Sequence, residues 1–212
     1  VGGTKRVLEL AKINGIRAMA YLSTMEVYGT PSTDEKIDES HSTNLDTMSV
    51  RSCYPESKRM CESICASYQK EYGVPTVVLR LTQTFGPGVQ YDDGRVFAEF
   101  ARCAIEGKDI VLKTKGETKR EYLHVDDAVN AIFTSLIKGC PGEAYNVANE
   151  ETYCSIREMA ELVADRCAEG RISVRIQEED SSKYGYAPTL HMNLDTSKFR
   201  ELGWIPEYNL EE

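Results

Sequence analysis

The chain has 212 residues, of which 41% are hydrophobic and 28% charged, and its formal net charge at pH 7 is -9. This length and balance predict a soluble globular fold, and the acidic surface argues against a nonspecific nucleic-acid partner. No apolar run approaches the roughly 20 residues that cross a bilayer, so we expect no membrane partner.

Alternating apolar and polar segments in the first half of the chain predict helices and strands in turn. The predicted elements are a helix over 4–14, a buried strand over 16–23, a polar surface loop over 29–49, a helix over 54–72 and a β-branched strand over 75–82. We expect Gly15 and Gly73 to end the two helices, since glycine readily takes the left-handed conformation of a C-cap. Pro55 suits the first turn of the second helix.

The second half continues the same alternation. It predicts a turn over 85–88, a helix over 95–107, a strand over 109–114, a turn over 115–121, a short strand over 122–125, a helix to residue 139, a strand over 143–148, a helix over 155–167, a strand over 171–177 and a final helix over 195–204. Asp126 is the expected N-cap of the fourth helix. Ser155 and Glu158 have the spacing of a capping box.

Strands that alternate with helices indicate an α/β fold with a mainly parallel sheet. In such sheets, ligands bind beyond the carboxyl ends of the strands. This rule selects the residues that follow the first two predicted strands, which are Ser23, Thr24, Met25, Glu26, Gln83, Thr84 and Phe85.

The seven cysteines are an odd number and include no Cys-x-x-Cys pair. Together with three scattered histidines they lack the spacing of zinc ligands, so we expect no metal site. The simplest interpretation is a set of free thiols in the reducing cytoplasm.

Tyr54 and Lys58 stand four residues apart at the start of the second predicted helix. This spacing puts both side chains on one helix face, with their Cβ atoms roughly 5–6 Å apart. An ammonium group so close favours the ionised phenolate, which can act as an acid or base near neutral pH. The alternative is that Tyr54 packs on an apolar face and Lys58 is solvated, and the pair alone does not decide between the two.

Several segments resemble, in the same order along the chain, the NAD-dependent epimerase/dehydratase family of extended short-chain dehydrogenases, which act on nucleotide sugars. The segments are VGGTKRVLELA, YLSTMEVYG, YPESK, LRLTQTFGPG, REYLHVDDAVNAI and GEAYNVAN. The resemblance implies a Rossmann-like parallel sheet flanked by helices, NAD as cofactor and a nucleotide-diphosphate sugar as substrate. It also implies that residues 1–148 belong to the NAD-binding domain and 149–212 to a nucleotide-sugar-binding lobe, to which 89–119 contribute.

The resemblance implies roles for four residues near the end of the first strand and the start of the second helix. Tyr54 matches the catalytic acid/base, and Lys58 matches the residue that holds the nicotinamide ribose. Thr24 matches the hydroxyl that hydrogen-bonds the sugar, and Ser23 lies beside it at the nicotinamide end. Without the resemblance, Ser23 and Thr24 would be interpreted as hydroxyls that satisfy the backbone of the following loop.

Five further residues match substrate-binding positions of the family. Arg120 corresponds to an arginine that binds the substrate diphosphate, which suits the guanidinium group. The segment around Arg95, Val96 and Phe97 resembles that of the UDP-glucuronate decarboxylases, where these residues lie near the nucleotide. Gln83 stands where the family usually has an asparagine that contacts the sugar. The alternatives are a solvated Arg120 in a turn and a Phe97 in a helix core.

The segment Thr24-Met25-Glu26 departs from the family's patterns. The 4,6-dehydratases carry Thr-Asp-Glu and the decarboxylases carry Thr-Ser-Glu at this place. Because Met25 cannot donate the proton that expels a sugar hydroxyl, we do not expect dehydration. Glu26 is a candidate for a second acid/base, or else a carboxylate that faces solvent.

These points predict an NAD-dependent enzyme that transfers hydride through a 4-keto sugar, with epimerisation as the expected outcome. One alternative is a reaction like that of UDP-glucuronate decarboxylase. Another, from a different class, is a non-catalytic relative that binds a nucleotide sugar or a partner protein. The resemblance also implies a homodimer of the full-length protein, built on helices such as the one over 54–72.

The family's glycine-rich dinucleotide-binding loop has no counterpart in this sequence, because the glycines at 2 and 3 follow no strand. This absence and a first residue that is not Met predict a fragment that lacks material at its start, and the final segment WIPEYNLEE, which has no obvious finish, predicts that material is also missing at its end. Unpaired strand edges and bare apolar surface would make such a fragment poorly stable or prone to association.

Overall fold

The computed structural model describes residues 1–43, 45–178 and 189–211. Its helices are α1 Gly2–Asn14, α2 Cys53–Tyr72, α3 Val96–Glu106, α4 Val125–Lys138, α5 Ile156–Leu162 and α6 Ser197–Arg200. Its strands are β1 Met19–Thr24, β2 Thr76–Leu81, β3 Gln83–Phe85, β4 Ile110–Leu112, β5 Lys119–His124, β6 Ala144–Val147, β7 Asn149–Ser155, β8 Val174–Ile176 and β9 His191–Met192. Short 3-10 turns cover Met25–Tyr28 and Val50–Ser52, and a π-turn covers Val163–Cys167.

A parallel three-stranded sheet in the order β1-β2-β6 forms the main layer. The central strand β2 is rich in β-branched and aliphatic residues because it is buried on both faces. Val78 faces the core that α1 and α2 share, whereas Val77 and Leu79 face the core beneath α4 and α6. Helices thus cover both faces of a parallel sheet, and the predicted α/β fold is confirmed.

A second sheet follows at the carboxyl ends of the main strands. Its order is β3-β5-β7, with β3 parallel and β7 antiparallel to β5, and β9 also pairs with β5. A separate pair, β4 and β8, packs in a core with α3 and α5. This arrangement places the C-terminal part of the chain beside the ends of β1 and β2, where we expect the ligand.

Three strands of the second sheet were not predicted from the sequence. Most residues of β7 are polar, β3 lies between a strand predicted to end at residue 82 and a turn predicted to begin at residue 85, and β9 has two residues. The predicted turn over 115–121 contains the first residues of β5. Long-range pairing rather than local apolar pattern makes these segments strands.

Three helices end at the glycines that the sequence predicts, whereas the start of α4 differs from its prediction. Gly15, Gly73 and Gly107 all have the left-handed conformation after their helices. The prediction of Asp126 as the N-cap of α4 is wrong. Helix α4 begins at Val125, and its N-cap is His124, two residues before Asp126. The His124 side chain accepts the backbone N–H of Asp126 at 3.3 Å. Asp126 instead lies in the first turn, where its charge favours the helix dipole.

The predicted capping box is confirmed: the Ser155 hydroxyl accepts the Glu158 N–H, and the Glu158 carboxylate accepts the Ser155 N–H. The helix predicted over 155–167 passes into the π-turn after α5, and the last predicted helix contracts to α6. Residue 44 of the predicted loop lies outside the described residues, and so do residues 179–188 and 212 of the predicted second domain. Within the described ranges, no helix is long and apolar enough to span a membrane.

Candidate active site

Tyr54 and Lys58 lie where the first turns of α2 meet strand β1. Tyr54 is 46% exposed. The Lys58 ammonium donates a hydrogen bond to the carbonyl oxygen of Leu22 at 2.7 Å and lies 5.8 Å from the centre of the Tyr54 ring. The lysine is therefore held between the backbone of β1 and the tyrosine, and the phenol remains open to a ligand.

Ser23 and Thr24 end β1 and point to opposite faces of the strand. The Thr24 hydroxyl oxygen accepts the backbone N–H of Glu26 at 3.3 Å, so its own proton remains available to donate. The Ser23 hydroxyl donates to the Glu62 carboxylate at 2.5 Å. Ser23 thus bonds α2, and its role at the cofactor stays a prediction.

Met25 and Glu26 diverge after the strand. Met25 is buried, and its sulfur lies 3.3 Å from the Thr82 hydroxyl oxygen, which donates its proton to the carbonyl oxygen of Glu121 at 2.6 Å. Glu26 is exposed. The thioether therefore fills the core beneath the site, while the carboxylate faces outward, where it can meet either solvent or a ligand.

The five predicted substrate-binding residues lie together. They line one cavity of about 190 Å³, although they come from three separate segments of the chain. The lining residues are Gln83, Gly94, Arg95, Val96, Phe97, Arg120, Tyr122 and Ile156. The contact between Thr82 and Met25 joins this cavity to the end of β1, because Gln83 follows Thr82 directly.

Two guanidinium groups give this cavity its charge. The buried Nε of Arg120 has no hydrogen-bond partner, which is costly unless an acceptor binds there. Arg95 forms an ion pair with Asp93 at 2.6 Å and lies 4.7 Å from the centre of the Phe97 ring. Hydrogen bonding from Arg95 lowers the pKa of Asp93 to about 2. The pair of arginines suits an anionic ligand such as a diphosphate.

Aromatic rings form a wall of the same cavity. Phe85 stacks on Phe97 with ring centres 4.5 Å apart and meets Tyr122 edge to face at 5.9 Å. The Phe97 and Tyr122 rings are only 7% and 4% exposed, so they pack the wall of the cavity. The sequence interpretation missed Tyr122, although its position two residues after Arg120 on a strand puts both on one face.

No metal centre is evident in the described part of the chain, where no three ligating side chains cluster. All seven cysteines are free thiols. The candidate site therefore consists of a tyrosine–lysine pair, the Thr24 hydroxyl and the cavity with two arginines.

Residues 1–148 match the model of the NAD dependent epimerase/dehydratase family. The chain belongs to this family. The match covers β1, α2 and the segments that line the cavity up to β6.

Curated relatives include UDP-glucuronic acid decarboxylase 3 of Arabidopsis thaliana, which is 31% identical over 99% of this chain and 59% of its own length. UDP-glucuronic acid decarboxylase 1 of Xenopus tropicalis is 32% identical over 99% of this chain and 48% of its own length. The chain thus spans about half to three fifths of the length of these relatives.

Among solved structures, a dTDP-glucose 4,6-dehydratase from Bacillus anthracis in complex with NAD is similar, with a TM-score of 0.78 and 25% identity over 99% of this chain and 63% of that one. A UDP-glucose 4-epimerase from Thermotoga maritima has a TM-score of 0.85 and 23% identity over 99% of this chain and 65% of that one. At this identity the epimerase supports the fold alone.

Proposed function

We propose that the protein containing this chain is an NAD-dependent enzyme that oxidises and then reduces C4 of a nucleotide-diphosphate sugar, with epimerisation as the net reaction. The observation that carries the proposal is the Tyr54–Lys58 pair at the start of α2, in which Tyr54 is exposed and Lys58 bonds to Leu22 on β1, the strand that ends at Thr24. A base, a cation and a hydroxyl donor are the groups that oxidation of a carbinol needs.

The residues at this place fit a nicotinamide ribose. The Lys58 ammonium uses one hydrogen bond on Leu22 and has three donors, so it can also bind ribose hydroxyls. Bound NAD would accept hydride from C4 and return it. Tyr54 takes the proton of the 4-hydroxyl group and returns it later, Lys58 stabilises the phenolate, and Thr24 donates to the sugar oxygen and orients it.

The cavity supports a nucleotide diphosphate as the rest of the substrate. Arg120 brings an unpartnered buried donor, and Arg95 brings a second guanidinium group, which is paired with Asp93. The Gln83 amide is a donor and an acceptor for a sugar hydroxyl. Binding through these groups would hold the reacting carbon at a set place relative to Tyr54.

Decarboxylation of UDP-glucuronic acid is the second candidate. It is favoured by the curated relatives at 31–32% identity and by Glu26, which follows Thr24 and Met25 at the site. A 4-keto uronic acid loses its carboxylate as carbon dioxide, and hydride then returns to C4. Dehydration is not favoured, since Met25 offers no proton and is buried against Thr82.

We infer a homodimer through α1 and α2 for the whole protein. The support is that both helices lie on one face of the sheet and leave apolar side chains such as Leu10, Ile13 and Met60 exposed. The seven free thiols support a cytoplasmic location.

The test is incubation of the protein, expressed from its intact gene, with NAD and either UDP-glucose or UDP-glucuronic acid. Proton NMR of the nucleotide sugars should show a 4-epimer, and release of carbon dioxide from UDP-glucuronic acid would establish the second candidate instead. No conversion of any nucleotide sugar together with no NAD binding would refute both and favour a non-catalytic relative.

Tyr54→Phe is the variant that tests the mechanism. Loss of the phenolic acid/base should lower kcat by about 10²–10⁴-fold. Because the residue is half exposed, the melting temperature should not change. The matched control is Tyr72→Phe, another exposed tyrosine on α2, which should retain activity. Full activity of the Tyr54 variant would contradict the proposed role.

A further inference from the structure

Glu62 lies one helical turn after Lys58 on α2, and both side chains reach β1. Lys58 donates to the carbonyl oxygen of Leu22 at 2.7 Å, and the Glu62 carboxylate accepts the Ser23 hydroxyl at 2.5 Å. Successive turns of α2 are therefore bonded to successive residues of β1. The spacing of four also places a carboxylate within reach of the Lys58 ammonium, as in an ordinary helical ion pair.

That helical ion pair does not form. In the described part of the chain, Glu62 pairs with Arg80 instead, with an Nη2–Oε2 distance of 2.8 Å. The Arg80 Nε donates to both carboxylate oxygens at 3.2 and 3.3 Å. Arg80 and Ser23 together occupy both oxygens of Glu62, and Lys58 bonds to the backbone of β1 instead.

Arg80 is itself held rigidly. It stands on β2 directly opposite Ser23 in the parallel register. Its Nη1 donates to the Tyr28 hydroxyl at 2.9 Å and to the carbonyl oxygen of Glu39 at 3.0 Å, and the Tyr28 hydroxyl donates to Asn146 on β6 at 2.6 Å. The Arg80 and Glu62 side chains are only 16% and 12% exposed, so water screens their attraction weakly.

We propose that Arg80 is a positioning residue for the reaction: by binding Glu62 it keeps that carboxylate from Lys58, so that the ammonium charge acts on Tyr54. The proposal rests on the proposed role of Tyr54 and Lys58. Without Arg80, the carboxylate four residues along the helix would attract Lys58 and offset its charge at the phenol.

The charged and ionisable groups around Lys58 come from three elements. Tyr54 and Glu62 share α2 with it, the Tyr21 ring on β1 lies 5.3 Å from its ammonium, and Arg80 faces Glu62 from β2. Exposed Glu26 follows the end of β1. Arg80 binds Glu62 and is therefore the residue whose removal would change the charge that reaches Lys58.

The test is the pH profile of kcat/KM, with NAD and the nucleotide sugar that the wild-type protein converts. The acidic limb of such a profile reports ionisation of the essential base in the free enzyme. Arg80→Gln should move this limb upward by about one pH unit, a tenfold loss of kcat/KM on its acidic side. The double variant Glu62→Gln/Arg80→Gln should return the limb to the wild-type position, because the competing carboxylate is gone.

Arg59→Gln is the matched control. Arg59 is also on α2, next to Lys58, but it pairs with Glu56 and not with Glu62. The acidic limb of the pH profile of this variant should therefore stay at the wild-type position. An equal loss at every pH in Arg80→Gln, with an unmoved limb, would show a purely structural role and overturn the proposal. Failure of the double variant to restore the limb would overturn it as well.

Arg80→Gln leaves Glu62 buried without its counter-charge, so circular dichroism must show that the variant is folded. If it is unfolded, Ser23→Ala and Arg80→Lys carry the test, since each removes part of the hydrogen bonding to the Glu62 carboxylate while the rest of the contact stays. Both should move the limb upward by about 0.3–0.5 unit, and an unmoved limb in both would refute the inference. An inactive wild-type protein would instead refute the proposed function, so the two failures are distinguishable.

Discussion

Glu121 carries a fully buried carboxyl group between Arg120 and Tyr122, two residues that line the candidate substrate cavity. One of its oxygens accepts the backbone N–H of Leu194 at 2.6 Å, and the other has no partner. Burial raises the pKa of Glu121 to about 8. The side chain is therefore neutral at pH 7, and a proton is part of the folded core.

The raised pKa has a definite sign for stability. Between the ordinary value of 4.5 and about 8, the unfolded chain has released this proton while the folded chain keeps it. The contribution of Glu121 to the free energy of unfolding is therefore largest below pH 4.5, and it falls as pH rises from 4.5 to about 8. Each pH unit in the window costs about 1.4 kcal/mol.

Glu121→Gln should remove this decline. Between pH 5 and pH 8, the free energy of unfolding of the wild type should fall by on the order of 3–4 kcal/mol more than that of the variant. Urea unfolding at several pH values measures it. Glu117→Gln, at an exposed site on the same segment, is the control and should keep the wild-type slope. Equal slopes in all three proteins would show that Glu121 is ionised in the folded state.

At the scale of elements, the end of α4 shows why a glycine is needed where its backbone angles do not demand one. Gly139 has φ -65°, which any residue can adopt. A Cβ at this position would lie 2.5 Å from the Ser135 carbonyl oxygen and 3.0 Å from a methyl carbon of Val77. The carbonyl belongs to the last turn of the helix, so it cannot move without disrupting the helix end.

Gly139→Ala should therefore destabilise the protein by about 1–3 kcal/mol, the usual cost of overpacking. Thermal and urea unfolding measure the difference. Gly94→Ala is the control, because its Cβ would meet nothing within 4 Å, and we expect a change within about 0.5 kcal/mol. A Gly139 variant as stable as this control would mean that the end of α4 relaxes freely.

At the scale of the whole molecule, apolar residues remain exposed on opposite faces of the main sheet. Helix α4 carries a stripe of Val129, Phe133 and Ile137 at intervals of four, with Ile137 79% exposed. Helix α1 leaves Leu10 and Ile13 exposed on the other face. Contiguous apolar surface of this kind favours association.

We expect the chain of 212 residues to self-associate at micromolar concentrations when it is produced alone. Phe133→Lys/Ile137→Lys should lower the mass measured by light scattering, because it places two charges on the stripe. Ile105→Lys changes an equally exposed isoleucine on α3 and should leave the mass as it is. A monomeric mass for the unmodified chain at all concentrations would contradict the expectation.

The sequence by itself determined the local features of this protein. The spacing of Tyr54 and Lys58, the glycines after α1, α2 and α3, and the alternation of strands with helices depend on neighbouring residues, so the pattern predicted them correctly. The grouping of Arg95, Phe97 and Arg120 was expected only through a family resemblance, and the cavity that they line is consistent with it.

Only the tertiary structure decided the rest. Strands β3, β7 and β9 exist because β5 pairs with them across long stretches of sequence. The bond from Ser23 to Glu62, and the Arg80 pair that turns this carboxylate away from Lys58, depend on the register of β1 against β2 and on the packing of α2. Register and packing are set by contacts between distant residues, so a pattern of neighbours cannot specify which charges meet.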